Sequence, residues 1–239
     1  MASSLTVVWD YDYSLIATNS DTFVPLEFSP SHGDFIRAEH REGVPWTPLM
    51  AAVAVRLHES GVSAEAIRGA AARVPVDAEH VRVIRELDAA GATQFIMSDA
   101  NAFYINAFLD ATDGLARIFA GRVVTNPALV DAGGCLRIAP YAAIPHGCPR
   151  CPPNLCKGAV LAALALRASP AAVVAYVGDG GGDECPARGL LAHDVVLARD
   201  GFPLAAALLA APPAARVVPW ASGAALRPAL LSELGGGRA

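Results

Sequence analysis

Basic residues are few and scattered. The chain of 239 residues carries 18 Lys and Arg against 23 Asp and Glu, a net charge of -5. With no basic run, a nucleic acid is excluded as the main partner. Long hydrophobic runs are missing too. Although 54% of the residues are hydrophobic, the apolar stretches are alanine-rich and broken by Pro, Arg or a carboxylate. None approaches the ~20 uninterrupted residues of a membrane span, so no membrane partner is expected. The opening "MASSLTVVWD" lacks the basic block, apolar block and cleavage site of a leader and enters an apolar strand at once, so a cytoplasmic protein is expected. Cysteine is sparse and odd in number. Five residues, Cys135, Cys148, Cys151, Cys156 and Cys185, argue against a disulfide framework.

The length suits one large core, or a core with a smaller insert. "LTVVWD" reads as a buried strand, and a helical block of about 70 residues follows it. Within that block Ser63 and Asp77 read as helix N-caps. "ATQFIMSD" at 92–99 is a second strand, and "NAFYINAFLDATDG" a helix ending near Gly114. Short β pieces and turns follow at Asn126-Pro127 and Gly133-Gly134. Then come a Pro- and Cys-rich loop, the helix "KGAVLAALALRAS", the strand "AAVVAYVG", the strand "DVVLARD", a helix, the strand "ARVVPW" and a closing helix. Such alternation predicts an α/β fold, a Rossmann-like parallel sheet with helices on both faces. The strandless early block reads as a small helical cap inserted after the first strand. The core would be 1–18 and 91–239, and the cap 19–90.

In open parallel sheets, sites form at the carboxyl ends of strands. The polar residues falling there are Asp10 and Asp12, then Ser98 and Asp99, then Asp179 and Asp183, with Lys157 opening a helix. On a strand, residues i and i+2 share a face, so Asp10 and Asp12 could act together. A carboxylate can be a covalent nucleophile in phosphoryl transfer. Two anions beside a phosphate need cations, and Mg²⁺ favours carboxylate, water and phosphate oxygens; Asp10 and Asp179 could hold it. Lys157 offers a second positive charge, and Ser98 a hydroxyl donor to a phosphate oxygen. Singly, each feature has a plainer reading. Ser98 could cap a helix, Lys157 could be solvated, and "GDGGGD" could be a tight turn. The last is not a dinucleotide fingerprint, because Asp183 stands where the final Gly belongs and the motif does not follow the first strand. Order and placement together carry the argument: DxDxS, Ser, Lys and GDGxxD, each at a strand end or helix start.

These four motifs, "DYDYS", Ser98, Lys157 and "GDGGGD", resemble those of the haloacid-dehalogenase-superfamily phosphatases. "NSD" at 19–21, "SDAN" at 98–101, "CPPNLCKG" at 151–158 and "GDGGGDECP" at 178–186 are similar to the phosphoethanolamine/phosphocholine phosphatase branch, which includes pyridoxal-phosphate, pyrophosphate and plant thiamin-monophosphate phosphatases. The resemblance implies a Mg²⁺-dependent hydrolase of phosphoric monoesters. Asp10 becomes the nucleophile and Asp12 the general acid/base, while Ser98 and Lys157 hold the phosphate. Asp10, the backbone carbonyl of Asp12 and Asp179 become metal ligands, with Asp183 ligating or supporting them, and the helical insert closes over the substrate.

Asp21 and Asp99 divide between two readings, as helix caps or as carboxylates facing a cationic leaving group. Phe23, Trp46, Phe103 and Tyr104 are candidates for cation–π contact with such a group. The expected substrate is a small, cationic phosphomonoester, thiamin monophosphate first, with phosphocholine, phosphoethanolamine, pyridoxal phosphate and pyrophosphate as alternatives. A catalytically silent phosphate-binding regulatory protein is the alternative of another class. A phosphomutase would need a second phosphate site, for which Arg37, His40 and Arg41 are the nearest cations. Finally, His146, Cys148, Cys151 and Cys156 invite zinc, but a second ligand pair normally lies further along the chain. The reading taken for this stretch is a packed loop with reduced thiols that presents Lys157.

Overall fold

The computed structural model describes residues 5–164 and 171–234. Alternating side chains along each strand supply both faces of one sheet. In β1 (Leu5–Trp9), Val7 and Trp9 join one core cluster and Val8 the other. β6 (Val173–Gly178) divides Ala175 and Val177 from Val174 and Tyr176 in the same way, and β7 (Val195–Arg199) divides Val195 and Leu197 from Val196 and Ala198. With β2 (Thr93–Asn101), β3 (Val123–Asn126) and β8 (Arg216–Trp220) they form a six-stranded sheet in the order β3-β2-β1-β6-β7-β8. Every pairing in it is parallel. A separate antiparallel hairpin, β4 (Ala128–Val130) and β5 (Leu136–Ile138), follows β3. The expected α/β parallel sheet is therefore observed. β1 lies between β2 and β6, and the chain leaves it toward β2 and returns on the other side at β6. That reversal opens a crevice at the carboxyl ends of these three strands.

The helical block after β1 comprises α1 (Ser20–Leu26), α2 (Pro30–Arg41), α3 (Trp46–Glu59), α4 (Ala64–Ala71) and α5 (Ala78–Ala89). Ser63 and Asp77 cap α4 and α5, accepting from the backbone N–H groups of Ala66 and Glu79. α1 to α4 pack on one another, with α4 also against α6 (Ala102–Ala111) and α3 against β5. α5 instead lies on the sheet beside α11 (Gly223–Leu234). There Arg227 meets Glu86 through two 2.8 Å hydrogen bonds, and the Asp77 carboxylate accepts from Gly223 N at 2.9 Å.

Two expected boundaries move. β2 runs two residues past Asp99, to Asn101. The helix expected to reach Gly114 stops at Ala111, where Thr112 turns extended and its hydroxyl bonds back to Phe108 O; Gly114, at φ 78°, then starts the short α7 (Leu115–Ile118). After the hairpin, residues 139–156 contain no helix or strand, and α8 begins at Lys157 and runs to Ala163. The remainder of "KGAVLAALALRAS", from 165 on, lies outside the described residues. Beyond β6 come α9 (Glu184–Arg188) and α10 (Pro203–Ala210). No helix among the described residues is long and apolar enough to cross a membrane.

One buried polar bridge ties β1 to α5. Trp9 Nε1 donates to Gln94 Oε1 at 3.1 Å, and Gln94 Nε2 donates to Ile84 O at 2.8 Å, with both Trp9 and Gln94 fully buried. Replacing Gln94 with Leu orphans an indole N–H and a carbonyl, each costing about 1–3 kcal/mol. Gln94→Leu should lower the unfolding free energy by about 2–4 kcal/mol in urea titrations. Arg117→Ala, which breaks an exposed pair with Asp88, should leave it nearly unchanged.

Candidate active site

β1 ends at Trp9, and Asp10 N still pairs with Val177 O at 2.8 Å. From there the backbone coils. Tyr13 adopts φ 56°, the only positive φ outside glycine among the described residues, and its N–H is held by Thr18 O at 3.0 Å. A strained backbone of this kind persists only where the surroundings fix it. Strand alternation therefore does not bring Asp10 and Asp12 together; the coil does. Both line one cavity with Tyr13, Asn19, Asp21, Trp46, Ser98, Asp99, Lys157, Asp179 and Asp183. All eight residues singled out in the sequence, Asp10, Asp12, Asp21, Ser98, Asp99, Lys157, Asp179 and Asp183, thus meet at the sheet's reversal point.

Lys157 is the only lysine in the chain; every other basic residue is arginine. It opens α8, and its ammonium is buried between Asp10 Oδ1 at 2.7 Å and Asp183 Oδ1 at 2.8 Å. Burial alone would lower its pKa, but the two carboxylates outweigh that and hold it above the ordinary lysine value. Asp183 is fully engaged. Its Oδ1 also accepts from Tyr176 Oη at 2.7 Å, and its Oδ2 accepts from the N–H groups of Asp179 and Gly180 at 3.1 and 3.0 Å. Four donors meet the four acceptor positions of a carboxylate. Gly178 makes room for this arrangement, because a Cβ there would lie 2.7 Å from the Asp183 carboxylate.

Asp179 is held by Ser14 Oγ at 3.1 Å, and Asp12 Oδ1 by Ser20 N at 2.8 Å. Burial pushes both carboxyls up, to about 6 in each case; Asp183 adds to the rise at Asp179, and the Ser20 N–H offsets part of it at Asp12. Asp10 is also raised, first by burial and then by Asp183. Carboxylate oxygens of Asp10, Asp179 and Asp183 lie within 4.8 Å of one another, and among the described residues the ammonium of Lys157 is the one side-chain cation lining the cavity. Hard oxygen donors with a surplus of negative charge fit a divalent cation such as Mg²⁺.

The capping readings of Asp21 and Asp99 do not hold. Asn19 caps α1 and Asn101 caps α6, accepting from Thr22 N and Tyr104 N at 3.0 Å each. Asp21 instead accepts from Trp46 Nε1 at 2.8 Å and lies 3.4 Å from Asn101 Nδ2. Burial, and then Asp12, push its carboxyl up to about 8. Asp99 Oδ1 accepts from Asn154 Nδ2 at 3.0 Å. Ser98 Oγ accepts from Ala100 N at 3.1 Å. Of the aromatic candidates only Trp46 lines the cavity; Phe103 is covered by Arg68, Tyr104 is packed into the core, and Phe23 is half-buried against it. Arg37, His40 and Arg41 do not line it either.

Asn19, Asn154 and Tyr176 were not foreseen. Tyr176 sits inside a strand that reads as uniformly apolar. Asn154 falls within the "CPPNLCKG" stretch, which points to the loop and not to the contact this side chain makes with Asp99. Asn19 does leave a signal, standing at the N-cap position of a helix that opens on the cavity.

Comparison with known proteins agrees with this geometry. A family model described as Putative Phosphatase matches residues 5–234. A thiamine phosphate phosphatase-like protein of Arabidopsis thaliana is 35% identical, over 84% of this chain and 83% of its own. Inorganic pyrophosphatase 2 of the same plant is 33% identical, over 84% of this chain and 73% of its own. The solved structure of a phosphoserine phosphatase, a phospho-aspartyl intermediate analogue, shares the fold with a TM-score of 0.56 at 15% identity, covering 97% of this chain and 99% of that one. The chain belongs to the Putative Phosphatase family, whose haloacid-dehalogenase-type fold it carries, and is a hydrolase acting on phosphoric monoesters.

Proposed function

We propose that this chain is a Mg²⁺-dependent phosphatase that hydrolyses a small cationic phosphomonoester, thiamin monophosphate foremost, through a phosphoaspartate on Asp10. The observation that supports it best is the buried Lys157 ammonium, 2.7 Å from an Asp10 carboxylate that ends the central strand. In this reading an Asp10 carboxylate oxygen attacks phosphorus in line while the bond to the leaving oxygen breaks. Asp12 gives that oxygen a proton. With its carboxyl raised to about 6, Asp12 is suited to carry a proton near neutrality and to lose it again. Asp12 then takes a proton from water, the water oxygen bonds phosphorus, and the Asp10–phosphorus bond breaks. Lys157 and Ser98 hold the phosphate oxygens. Asp10, Asp179 and the backbone carbonyl of Asp12 would hold Mg²⁺, which supplies positive charge against the phosphoryl oxygens. Asp183, with all four acceptor positions taken, supports Lys157 and the 179–180 backbone instead of binding the ion directly.

Residues 19–90 act as the cap over a core of 1–18 and 91–239. Since α5 is bound to α11, the closing part is α1 to α4, which bring Asn19, Asp21 and Trp46 over the cavity. The leaving-group side is then walled by Asp21, Asp99 and Trp46. Two carboxylates and an indole suit an ammonium or thiazolium group. The second phosphate of pyrophosphate would meet the same carboxylates, so pyrophosphate is the weaker candidate, with phosphocholine and phosphoethanolamine between the two.

Hydrolysis should require Mg²⁺. Asp10→Asn should abolish it, Asp12→Asn should lower kcat by roughly 10²–10⁴, and Lys157→Arg should not rescue the site, because a planar fork cannot replace a point charge between two carboxylates. Turnover by Asp10→Asn at the native rate would overturn the nucleophile assignment.

Asp21 gives a pH test. Its raised carboxyl holds a proton below about pH 8, and a cationic group must expel that proton to pair with it. KM for thiamin monophosphate should fall as pH rises toward 8, while KM for a neutral ester should not. Asp21→Asn should flatten the difference and raise KM for the cationic ester by roughly tenfold; equal effects on both esters would refute the wall.

The cluster also links stability to pH. Asp10, Asp12 and Asp179 titrate higher folded than unfolded, so the metal-free fold has most of their contribution at pH 4 and below. The Asp12 and Asp179 shares are lost as pH rises from about 4 through 6, and the Asp10 share as its own raised carboxyl ionises. Mg²⁺ offsets the charge only once the protons have left. The Tm increase on adding Mg²⁺, read by calorimetry, should be larger at pH 7.5 than at pH 5, and Asp179→Asn should diminish it.

A further inference from the structure

Four cysteines outside the phosphoryl site converge. The sulfurs of Cys148, Cys151, Cys156 and Cys185 all lie within 4.8 Å of one another. Cys185 Sγ is 3.9 Å from Cys148 Sγ and 4.0 Å from Cys156 Sγ, and all four thiols are free. A disulfide would bring two sulfurs to about 2.05 Å. Four sulfurs placed tetrahedrally about 2.3 Å from a zinc ion stand about 3.8 Å apart, close to what is seen. The fourth ligand is Cys185, beyond the "GDGGGD" motif, and it supplies the distant half of the set that the loop sequence lacks. His146 is not a member. Its Nε2 pairs with Pro152 O at 2.8 Å, and its Nδ1 accepts from Cys148 N at 3.2 Å.

Two features of the surrounding backbone accommodate the sulfurs. Ala159 N donates to Cys156 Sγ at 3.4 Å. At Gly158 a Cβ would lie 2.5 Å from Cys185 Sγ, so the missing side chain gives that sulfur its place. Position matters as much. Cys156 precedes Lys157, and Cys185 follows Asp183 by two residues. The 139–156 connection has no helix or strand of its own, and so long a loop in a compact domain needs a tether.

We propose that Cys148, Cys151, Cys156 and Cys185 bind one structural zinc ion as a tetrathiolate, tying the 139–156 loop to the start of α9. Binding deprotonates the four thiols, releasing four protons per zinc ion, and needs no oxidant. The inference does not depend on the phosphatase reading, and its test reads metal and thiols, not turnover. The untagged full-length chain, dialysed against buffer without chelator, should carry one zinc per molecule by mass spectrometry of the metal. Its four thiols should resist alkylation by N-ethylmaleimide until a chelator strips the ion. Exchange with Co²⁺ should give the intense visible bands and sulfur charge transfer of a tetrahedral thiolate site. Cys185→Ser should lose that signature; Asp10→Asn and Cys135→Ser should keep it. Three results would each overturn the proposal: thiols alkylated as fast before chelator treatment as after it and not protected when Zn²⁺ is restored to the stripped protein, disulfides among the four in the freshly isolated protein, or a cobalt signature kept by Cys185→Ser and lost by Asp10→Asn. The alkylation test uses the native chain, so it stands even if Cys185→Ser fails to fold.

Discussion

A single buried ammonium holds the active end of this molecule together. Lys157 reaches Asp10, 147 residues away in the sequence, and Asp183, 26 residues away. Such a group is stable out of water only while both partners remain, because the removal of either leaves a charge in a poorly solvating interior. Much of the local architecture serves that condition. β1 and β6 are neighbours, which puts Asp10 beside the β6 turn. Gly178 has no side chain, so Asp183 can fold back under the strand end, and Tyr176, two residues earlier on the same face of the strand, donates to it. The use of lysine at this one position, in a chain otherwise built with arginine, follows from the geometry: a compact point charge fits between the two carboxylates, and a planar guanidinium fork does not.

The sheet was readable in advance because its strands are buried on both faces and bounded by turns, and the motif carboxylates stand out against those apolar runs. Some inferences reached the right residues by the wrong route. Asp10 and Asp12 share a cavity, yet the strand ends at Trp9 and the coil at Tyr13 sets their relation. Asp21 and Asp99 sit where helix caps are expected, but Asn19 and Asn101, two residues from each, take the capping positions. Sequence alone cannot decide between neighbouring cap-formers of nearly equal preference. Asp183 reads from the sequence either as a metal ligand or as a support, and on the proposed function its four hydrogen bonds favour support. Cys185 was invisible as a partner of the loop cysteines because only the parallel crossover from α8 through β6 brings it back to them.

That crossover gives the loop its importance. The segment before α8 carries Asn154, which touches Asp99 and Asn126 at 3.0 and 3.1 Å, and then Lys157 itself. Backbone without regular hydrogen bonding is an imprecise support for a side chain that must sit within a few tenths of an ångström of two carboxylates. A sulfur cluster that grips the loop on one side of Lys157 and α9 on the other fixes the two segments that hold the ammonium. It does so without occupying the cavity.

The cavity is lined by six carboxylates and one ammonium. A phosphate monoester adds up to two further negative charges, so the free site must either keep protons or take up a cation. The upward shifts at Asp10, Asp12, Asp21 and Asp179 reflect the first response, and on the proposed function Mg²⁺ would supply the second around Asp10 and Asp179. Asp21 is separated from that group by the Asp12 turn and lies in α1, on a side of the cavity lined also by Asn19 and Trp46 and, among the described residues, by no arginine or lysine. Charge left over on that side cannot be neutralised by an ion held between Asp10 and Asp179, since the attraction between charges weakens with distance and with every intervening water. It must be met by a proton or by the substrate's own leaving group. On the proposed function, then, selectivity arises less from shape than from which leaving group can replace the proton on Asp21.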